Sequence, residues 1–415
     1  MQRNFISKAI AISFMISTFV LFAITSWFQN PKFENLFSYQ GNDFPGNPFV
    51  ASNTKGIGVH LFGDLLESTR IVSDSGSPYI EATGTYLPFS YSVLRIFGSL
   101  NYKILCVIFL ISAALGILVV TQISHRLNRE IRKSDFFIIL LSWPMLSGID
   151  RGNLQIYITL MLVLAIVLVS TGHDLAAAIV IGLVGAMKGY PILFLLVFLG
   201  RPKATKSIMA GVLTCLLSST AALLSFSGGF MPNLRGFVHN FTSSTRLGNF
   251  PTAYNNSLRG LFESISHFDL FGLGNFFNSA INHPVRISVP LILIASLACA
   301  MTSKIEHRVA LVAIVLILAA PYSPSYVLGL LIAVVVSIYL VNDDSKAHAV
   351  FAVLLALLLS PKLIPLSQFG QAFDPRVPTL NSVLNPLLLL AMFFSLVVFI
   401  VLQYPFFKPE AAKSI

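Results

Sequence analysis

Long apolar stretches recur along the whole chain, and they limit its fold more than any other feature of the sequence. The first, IAISFMISTFVLFAITSWF at residues 10–28, already approaches the ~20 apolar residues that a helix needs to cross a bilayer. Only 11% of the residues are charged, whereas a soluble domain carries about 25%. The sequence therefore predicts an all-α polytopic membrane protein, with one integral membrane domain over residues 1–415.

These stretches predict about twelve transmembrane helices, some of them half-length. Arg3 and Lys8 precede the first one and no small-residue cleavage site follows it, so we interpret it as a retained helix that starts in the cytoplasm. The expected spans are 9–27, 102–122, 136–147, 154–170, 175–188, 191–200, 206–226, 287–303, 309–320, 326–341, 349–360 and 386–403.

The segment 176–198 decides the orientation of everything that follows it. As one continuous helix it would put the basic loop RPKATK outside, whereas two short helices broken at KGYP return that loop to the cytoplasm. Pro191 disfavours a continuous helix, and cytoplasmic loops carry an excess of Lys and Arg. We therefore expect two short helices. The same orientation rule accounts for the net charge of +10 without a nucleic-acid partner.

With this orientation, three long segments fall on the extracytoplasmic face: 28–101, 227–286 and 361–385. Loops of such length are usually functional or disordered. Their aromatic content and short amphipathic pieces favour ordered loops that carry amphipathic helices along the interface with membrane lipids. Most of the material that could form a binding cavity is then outside the cell, and we see no internal repeat of the kind that symmetric transporters have.

Charged residues near membrane depth are the first candidates for function, because burying them is costly. Arg151 in DRGNLQ and Lys188 in AMKGYP fall at the outer ends of two short spans, where they would line the floor of a pocket. A guanidinium and an ammonium suit a phosphate. Two alternatives stay open: Arg151 could pair with its neighbour Asp150, and Lys188 could extend its amine to the interface.

One acidic residue in the first outer segment is a candidate base, in the stretch VHLFGDLLESTR. On a helix, His60, Asp64 and Glu67 would share one face. A carboxylate there could deprotonate an attacking hydroxyl while cations neutralise a departing lipid phosphate, which needs no general acid. Alternatively, Asp64 only hydrates an interfacial helix. His60 and Asp64 have metal-ligand spacing, but no third ligand is evident, so we predict neither a metal nor a cofactor.

Six short motifs, in this order along the chain, resemble those of the GT-C superfamily of membrane glycosyltransferases. Within it, the likeness is greatest to the bacterial family of polyprenyl-phosphate-mannose-dependent alpha-mannosyltransferases. The motifs are FGDLLEST (62–69), GSPY (76–79), YLP (86–88), RGNLQ (151–155), AMKGYPILFLL (186–196) and YNNSLRGLF (254–262).

The resemblance implies that Asp64 is the general base of an inverting transfer. It implies a donor sugar attached to polyprenyl phosphate, a lipid or glycan acceptor, and no nucleotide-sugar site. It also implies an active site on the extracytoplasmic side of the bacterial cytoplasmic membrane.

The chain departs from this family in one outer loop, where many relatives have a cluster of Trp with His or Tyr. The corresponding stretch PYSPSYVLGL contains Tyr322 and Tyr326 but no His. His239 and Arg246 are the substitutes that we consider for substrate binding.

Five further residues are candidates for substrate binding. Asn153 belongs to the RGNLQ motif, and Asn256 and Arg259 belong to YNNSLRGLF, where they could bind phosphate or sugar hydroxyls. Arg259 could equally meet lipid headgroups. Tyr79 and Tyr86 could stack on a sugar, although aromatic residues are common at membrane interfaces anyway.

The sequence therefore favours a glycosyltransferase that uses a polyprenyl-phosphate sugar. The alternative from another class is a transporter or flippase of lipid-linked sugars, against which the brief cytoplasmic loops argue. A third interpretation, a membrane subunit without activity, would leave Asp64 and Lys188 without roles.

Overall fold

The computed structural model describes residues 62–82, 84, 86–129, 131–246, 255–268, 284–320, 322–341, 346–360 and 378–404, together with Ile12. Within these residues all regular structure is helical, as the sequence predicts, and no strand occurs. The predicted span 9–27 and much of the predicted loops 28–101 and 361–385 lie outside the described residues.

Fifteen α-helices and two longer 3-10 helices make up the described part of the chain. The 3-10 helices are Tyr190–Phe198 and Ser325–Gly329. The α-helices are α1 (Gly63–Asp74), α2 (Pro88–Arg95), α3 (Tyr102–Leu127), α4 (Lys133–Leu140), α5 (Trp143–Arg151), α6 (Gln155–Ser170), α7 (Asp174–Lys188), α8 (Ala204–Ser225), α9 (Phe230–Arg246), α10 (Leu258–His267), α11 (Pro284–Met301), α12 (Ile305–Ala319), α13 (Leu330–Val341), α14 (Lys346–Leu358) and α15 (Leu380–Gln403).

Three of the described helices, α3, α8 and α15, are long and apolar enough to cross a membrane. Large apolar side chains such as Leu110 and Leu118 on α3 and Leu217 on α8 are exposed, as expected for surfaces that face lipid. The predicted number of about twelve spans is not confirmed, because most of the remaining apolar helices are shorter than a bilayer is thick.

Two of the predicted spans are corrected by the structure. The span expected at 136–147 consists of two short helices, α4 and α5, because Pro144 lies in the first turn of α5, where its missing N–H is tolerated. The span expected to begin at residue 386 begins at Leu380. Thr379 and Ser382 form a capping box there, and Pro386 is accommodated inside the helix.

The segment 176–198 is broken at the predicted place. Helix α7 ends at Lys188, and Gly189 takes φ +76° before the 3-10 helix begins. Arg201, just after that helix, forms a bidentate ion pair with Asp174 at the start of α7, at 2.9 and 3.2 Å. The chain has therefore reversed direction between these two residues, and the alternative of one continuous helix is wrong.

Helix α1 rests on the end of α5. The backbone N–H of Phe62 donates to the carbonyl of Asp150 at 2.7 Å, and Phe62 adopts φ +59°, which few residues other than glycine take. A Cβ on Gly152 would lie 2.7 Å from that of Leu65, so only glycine permits this contact. As a result, Asp64 in the first turn of α1 lies next to the C-terminus of α5.

Helix α7, which ends at Lys188, is held by a very close approach to α8. A Cβ on Gly182 would lie 2.3 Å from the backbone oxygen of Gly211, and one on Gly211 would lie 2.9 Å from that of Ala178. Small residues at the interface are what allows two helix backbones in a membrane to come this close. The position of Lys188 therefore depends on two glycines outside the candidate site.

We predict that Gly182→Ala destabilises the protein, by roughly 1–3 kcal/mol in the free energy of unfolding, because the added methyl group overlaps backbone rather than a movable side chain. The measurement is thermal unfolding of the purified protein in detergent. Gly116→Ala is the matched control: its Cβ would meet only the end of the Leu160 side chain, at 2.9 Å. Equal melting temperatures for the two variants would contradict this account of the interface.

Candidate functional site

The centre of the candidate site is an ion pair between Asp64 on α1 and Arg151 at the end of α5. The guanidinium donates twice to the carboxylate, Nη2 to Oδ1 at 2.8 Å and Nε to Oδ2 at 3.1 Å. The two side chains are 17% and 25% exposed. This bidentate geometry in a partly buried position is the strong form of a carboxylate–arginine contact.

Asn153 connects the carboxylate to a second cation. Its Nδ2 donates to Oδ2 of Asp64, and its Oδ1 accepts a hydrogen bond from Lys188 Nζ at 2.9 Å. The same oxygen accepts the backbone N–H of Gln155 at 2.9 Å. Because Asn153 is 2% exposed and uses both ends of its amide, it fixes the carboxylate and the ammonium on its two sides.

Lys188 reaches this position from the last residue of α7. Its ammonium also donates to Oε1 of Gln155 at 3.4 Å, and the same oxygen accepts the hydroxyl of Tyr190. Both hydrogen bonds that this ammonium donates to described residues are accepted by neutral amide oxygens. Lys188 is thus held in place without a carboxylate as its hydrogen-bond partner.

Two tyrosines line the cations. Lys188 Nζ lies 5.7 Å from the ring centroid of Tyr86 and 5.2 Å from that of Tyr326. The guanidinium of Arg151 lies 5.9 Å from the Tyr326 ring. Aromatic faces attract cations at these distances without neutralising them. The hydroxyl of Tyr86 is 3.5 Å from Nδ2 of Asn153, so Tyr86 also borders the carboxylate side.

The charged and hydrogen-bonding neighbours of Asp64 change the pKa of its carboxyl group. Burial by itself would raise the pKa of Asp64, but the adjacent Arg151 guanidinium, its hydrogen bonds, those from Asn153 and the field of Lys188 outweigh it. The pKa of Asp64 is therefore lowered from its ordinary value. The group is a carboxylate at neutral pH, and it is a weaker base than a free aspartate.

The local ion pair considered for Asp150 and Arg151 is not what the structure shows, since the guanidinium of Arg151 lies on Asp64. Oδ2 of Asp150 is buried and has no hydrogen-bond partner among the described residues. Lys188 likewise does not extend away to an interface but turns towards Asn153 and Gln155. Both alternatives to a common site are therefore wrong in their geometry.

The structure places Tyr79 and Asn256 in the interior rather than on an open surface. Tyr79 is 3% exposed, its ring packs against Tyr91 and two phenylalanines, and its hydroxyl donates to the carbonyl of Tyr86 at 2.6 Å. Asn256 is fully buried, donates to the carbonyl of Ser323 at 2.8 Å and accepts from the amide of Asn385 at 2.7 Å. In this state neither side chain is available to a sugar.

Arg259 forms an ion pair with Glu263 one turn further along α10, at 2.7 Å, so a carboxylate takes the place where we expected a phosphate. His239 is exposed on α9. The side chain of Arg246 and the whole of His60 lie outside the described residues.

The common face expected for Asp64 and Glu67 is not observed, and His60, which was expected to share it, lies outside the described residues. Both acids belong to helix α1, which the structure describes from Gly63. Glu67 is 40% exposed and pairs with Arg70 at 2.8 Å, whereas Asp64 points inwards. The two acids of α1 therefore have separate surroundings.

Three residues of the site were not assigned a role from the sequence: Gln155, Tyr190 and Tyr326. Gln155 is the last residue of RGNLQ and Tyr190 lies within AMKGYPILFLL, so both belong to motifs on which the family resemblance rests. Tyr326 comes from the stretch PYSPSYVLGL, which we expected to be an outer loop without the histidine of the family that the sequence resembles, and it contacts both cations. That loop thus reaches the site with a different residue.

Comparison with known proteins identifies the family. The family model of glycosyltransferase family 87, a GT-C-type fold family, matches residues 85–363, which is well over half of the chain. The match includes Arg151, Asn153 and Lys188, and it begins after Asp64. Searches of curated proteins and of solved structures found no significant match. This helical, apolar chain belongs to glycosyltransferase family 87.

Proposed function

We propose that the protein is an inverting glycosyltransferase that moves a sugar from a polyprenyl-phosphate donor to a hydroxyl acceptor. The acceptor is a glycolipid, a polysaccharide or another envelope glycan, and the reaction takes place on the extracytoplasmic side of the bacterial cytoplasmic membrane. In this proposal Asp64 is the general base, Arg151 and Lys188 bind the donor phosphate, and Asn153 orients both groups.

The observation that carries the proposal is that hydrogen bonds join one acid and two cations. Arg151 donates directly to the carboxylate of Asp64, and the amide of Asn153 links that carboxylate to Lys188. Asp64, Arg151 and Lys188 come from three separate helices, yet Asn153 touches the acid on one side and the lysine on the other. Arg151 and Lys188 bring two positive charges to one hydrogen-bonded carboxylate, and this arrangement suits an additional anion. Membership of a glycosyltransferase family supplies the reaction class.

The chemistry requires these groups and little more. The acceptor oxygen attacks the anomeric carbon, the bond from that carbon to the phosphate oxygen breaks, and the hydroxyl proton passes to the carboxylate of Asp64. The bonding electrons leave with the polyprenyl phosphate, whose growing negative charge Arg151 and Lys188 stabilise. Because a phosphate is a weakly basic leaving group, no second acid has to protonate it, and a single displacement inverts the anomeric carbon.

Tyr86 and Tyr326 fit the same scheme as walls of the site. Their ring centroids lie 5.7 and 5.2 Å from the ammonium of Lys188, and in this proposal they keep water away from part of it. Electrostatic stabilisation of a leaving phosphate is stronger where water is excluded. The proposal therefore gives the loop at 321–330 a role in donor binding without a histidine.

We predict that Asp64→Asn lowers the rate of sugar transfer by about 100-fold or more, since the general base is lost while the size of the side chain is kept. The purified, reconstituted variant is incubated with a panel of polyprenyl-phosphate sugars and a cell-envelope lipid fraction, and released polyprenyl phosphate and glycosylated acceptor are measured by mass spectrometry. Glu67→Gln on the exposed face of the same helix is the control, and it should keep wild-type turnover. Turnover by Asp64→Asn at the wild-type rate would refute the assignment.

We predict that Lys188→Met weakens binding of a polyprenyl phosphate by about tenfold or more, because a charge-assisted hydrogen bond to the phosphate is lost. Methionine retains the apolar stem, so the packing between the tyrosines changes little. The dissociation constant is measured by microscale thermophoresis in a nonionic detergent. Lys206→Met on the exposed start of α8 serves as the matched control. Should both variants bind with wild-type affinity, Lys188 is not part of the donor site.

A further inference from the structure

We propose that the donor phosphate takes Arg151 away from Asp64, so that the ion pair in this structure is a resting state and donor binding itself releases the base. This inference rests on the proposed function and deepens it. It assigns Arg151 two successive anionic partners, first the carboxylate of Asp64 and then the phosphate of the lipid-linked sugar.

The resting carboxylate is heavily engaged. Oδ1 accepts from Nη2 of Arg151 at 2.8 Å, while Oδ2 accepts from Nε of Arg151 at 3.1 Å and from the amide of Asn153. A carboxylate has about four lone-pair positions, and three of them are used by these contacts. A hydroxyl acceptor that arrived in this state would meet a base whose electron pairs point at a guanidinium.

The two cations of the site are held in different ways, and this difference gives the exchange its order. Lys188 donates only to neutral amide oxygens among the described residues, at 2.9 and 3.4 Å, so its charge is not yet neutralised by a directly bonded anion. An entering phosphate meets this uncompensated ammonium first. Arg151 can then turn towards the phosphate, because a guanidinium binds carboxylate and phosphate with the same bidentate geometry.

Asn153 keeps the acid in place after the exchange. Its hydrogen bond to Oδ2 of Asp64 does not involve Arg151, and its other end is fixed by Lys188 and by the backbone of Gln155. Once the guanidinium has left, Oδ1 is open towards an acceptor while Oδ2 remains oriented. The carboxylate of Asp64 is therefore a strong and correctly oriented base only when a donor is bound. This favours an order in which the donor binds first and the acceptor binds second.

The exchange makes a prediction that a static donor site does not make. If Asp64 competes with the phosphate for Arg151, removing its charge must strengthen phosphate binding, since carboxylate and phosphate are coupled through the same guanidinium. Asp64→Asn should bind a polyprenyl phosphate about fivefold more tightly or better than the wild type, in the assay described for Lys188. The same variant should be inactive in transfer.

Two comparisons separate exchange from a general effect of charge. Glu67→Gln removes an equal charge from the same helix without touching Arg151, and its affinity should equal that of the wild type. In an Arg151→Gln background, Asp64→Asn should no longer strengthen binding. A gain of the same size in Glu67→Gln, or a gain that persists without Arg151, would overturn the exchange.

The probes distinguish the chemical group that is bound. The polyprenyl phosphate is compared with inorganic phosphate and with the uncharged polyprenol of equal length. The gain in affinity on replacing Asp64 should occur with both phosphates and not with the polyprenol, and an equal gain with the polyprenol would overturn the proposal. Asp64→Ser carries the same expectation and replaces Asp64→Asn if that variant does not fold.

The exchange and the proposed function fail in different ways. If Asp64→Asn is inactive but binds polyprenyl phosphate with unchanged affinity, the exchange is overturned and the transferase assignment stands. If Asp64→Asn still transfers sugar at the wild-type rate, the assignment of Asp64 as the general base is overturned whatever its affinity for phosphate. If the wild type transfers sugar from none of the polyprenyl-phosphate donors, the proposed function itself is overturned.

Discussion

The partly buried ion pair between Asp64 and Arg151 is the contact on which the site depends, because it joins two helices that are far apart in sequence. Charges in an apolar surrounding are tolerated only when they are paired and hydrogen-bonded. Here the bidentate contact and the amide of Asn153 satisfy both partners. Phe62, whose N–H is bound to the carbonyl of Asp150, sets the first turn of α1 against α5 so that this pairing can occur.

Both cations stand at helix C-termini, and this placement has an electrostatic reason. Arg151 ends α5 and Lys188 ends α7, and each is followed by a glycine with positive φ, Gly152 at +64° and Gly189 at +76°. The carbonyl end of a helix carries partial negative charge, which stabilises a cation there. Glycine ends the helix without steric cost and lets the chain turn away. Two helix ends thus present positive side chains to one place.

Three features could be predicted from the sequence because each depends on local chemistry. The helical class follows from the length of the apolar stretches, and the break at KGYP follows from the backbone limits of Pro191. The acid and cations that lie together could be predicted because burying a charge is costly. Sequence reasoning did not recover which aromatic and amide side chains face the site. Tyr79 and Tyr86 look alike in the sequence, yet Tyr79 is enclosed by other rings while Tyr86 lies beside Lys188. That difference is decided by long-range packing, which no spacing along the chain encodes.

The family match and the geometry of the site concern different parts of the chain, and the two are consistent with each other. The match starts at residue 85, so it says nothing of Asp64, whereas it includes Arg151, Asn153 and Lys188. Those matched residues converge on a carboxylate that the matched region itself does not provide. A cluster of two cations without an acid could bind a phosphate but could not accept a proton from a hydroxyl. In the proposed function, the segment before residue 85 supplies the carboxylate that accepts the hydroxyl proton, and the matched segment supplies the cations for the phosphate.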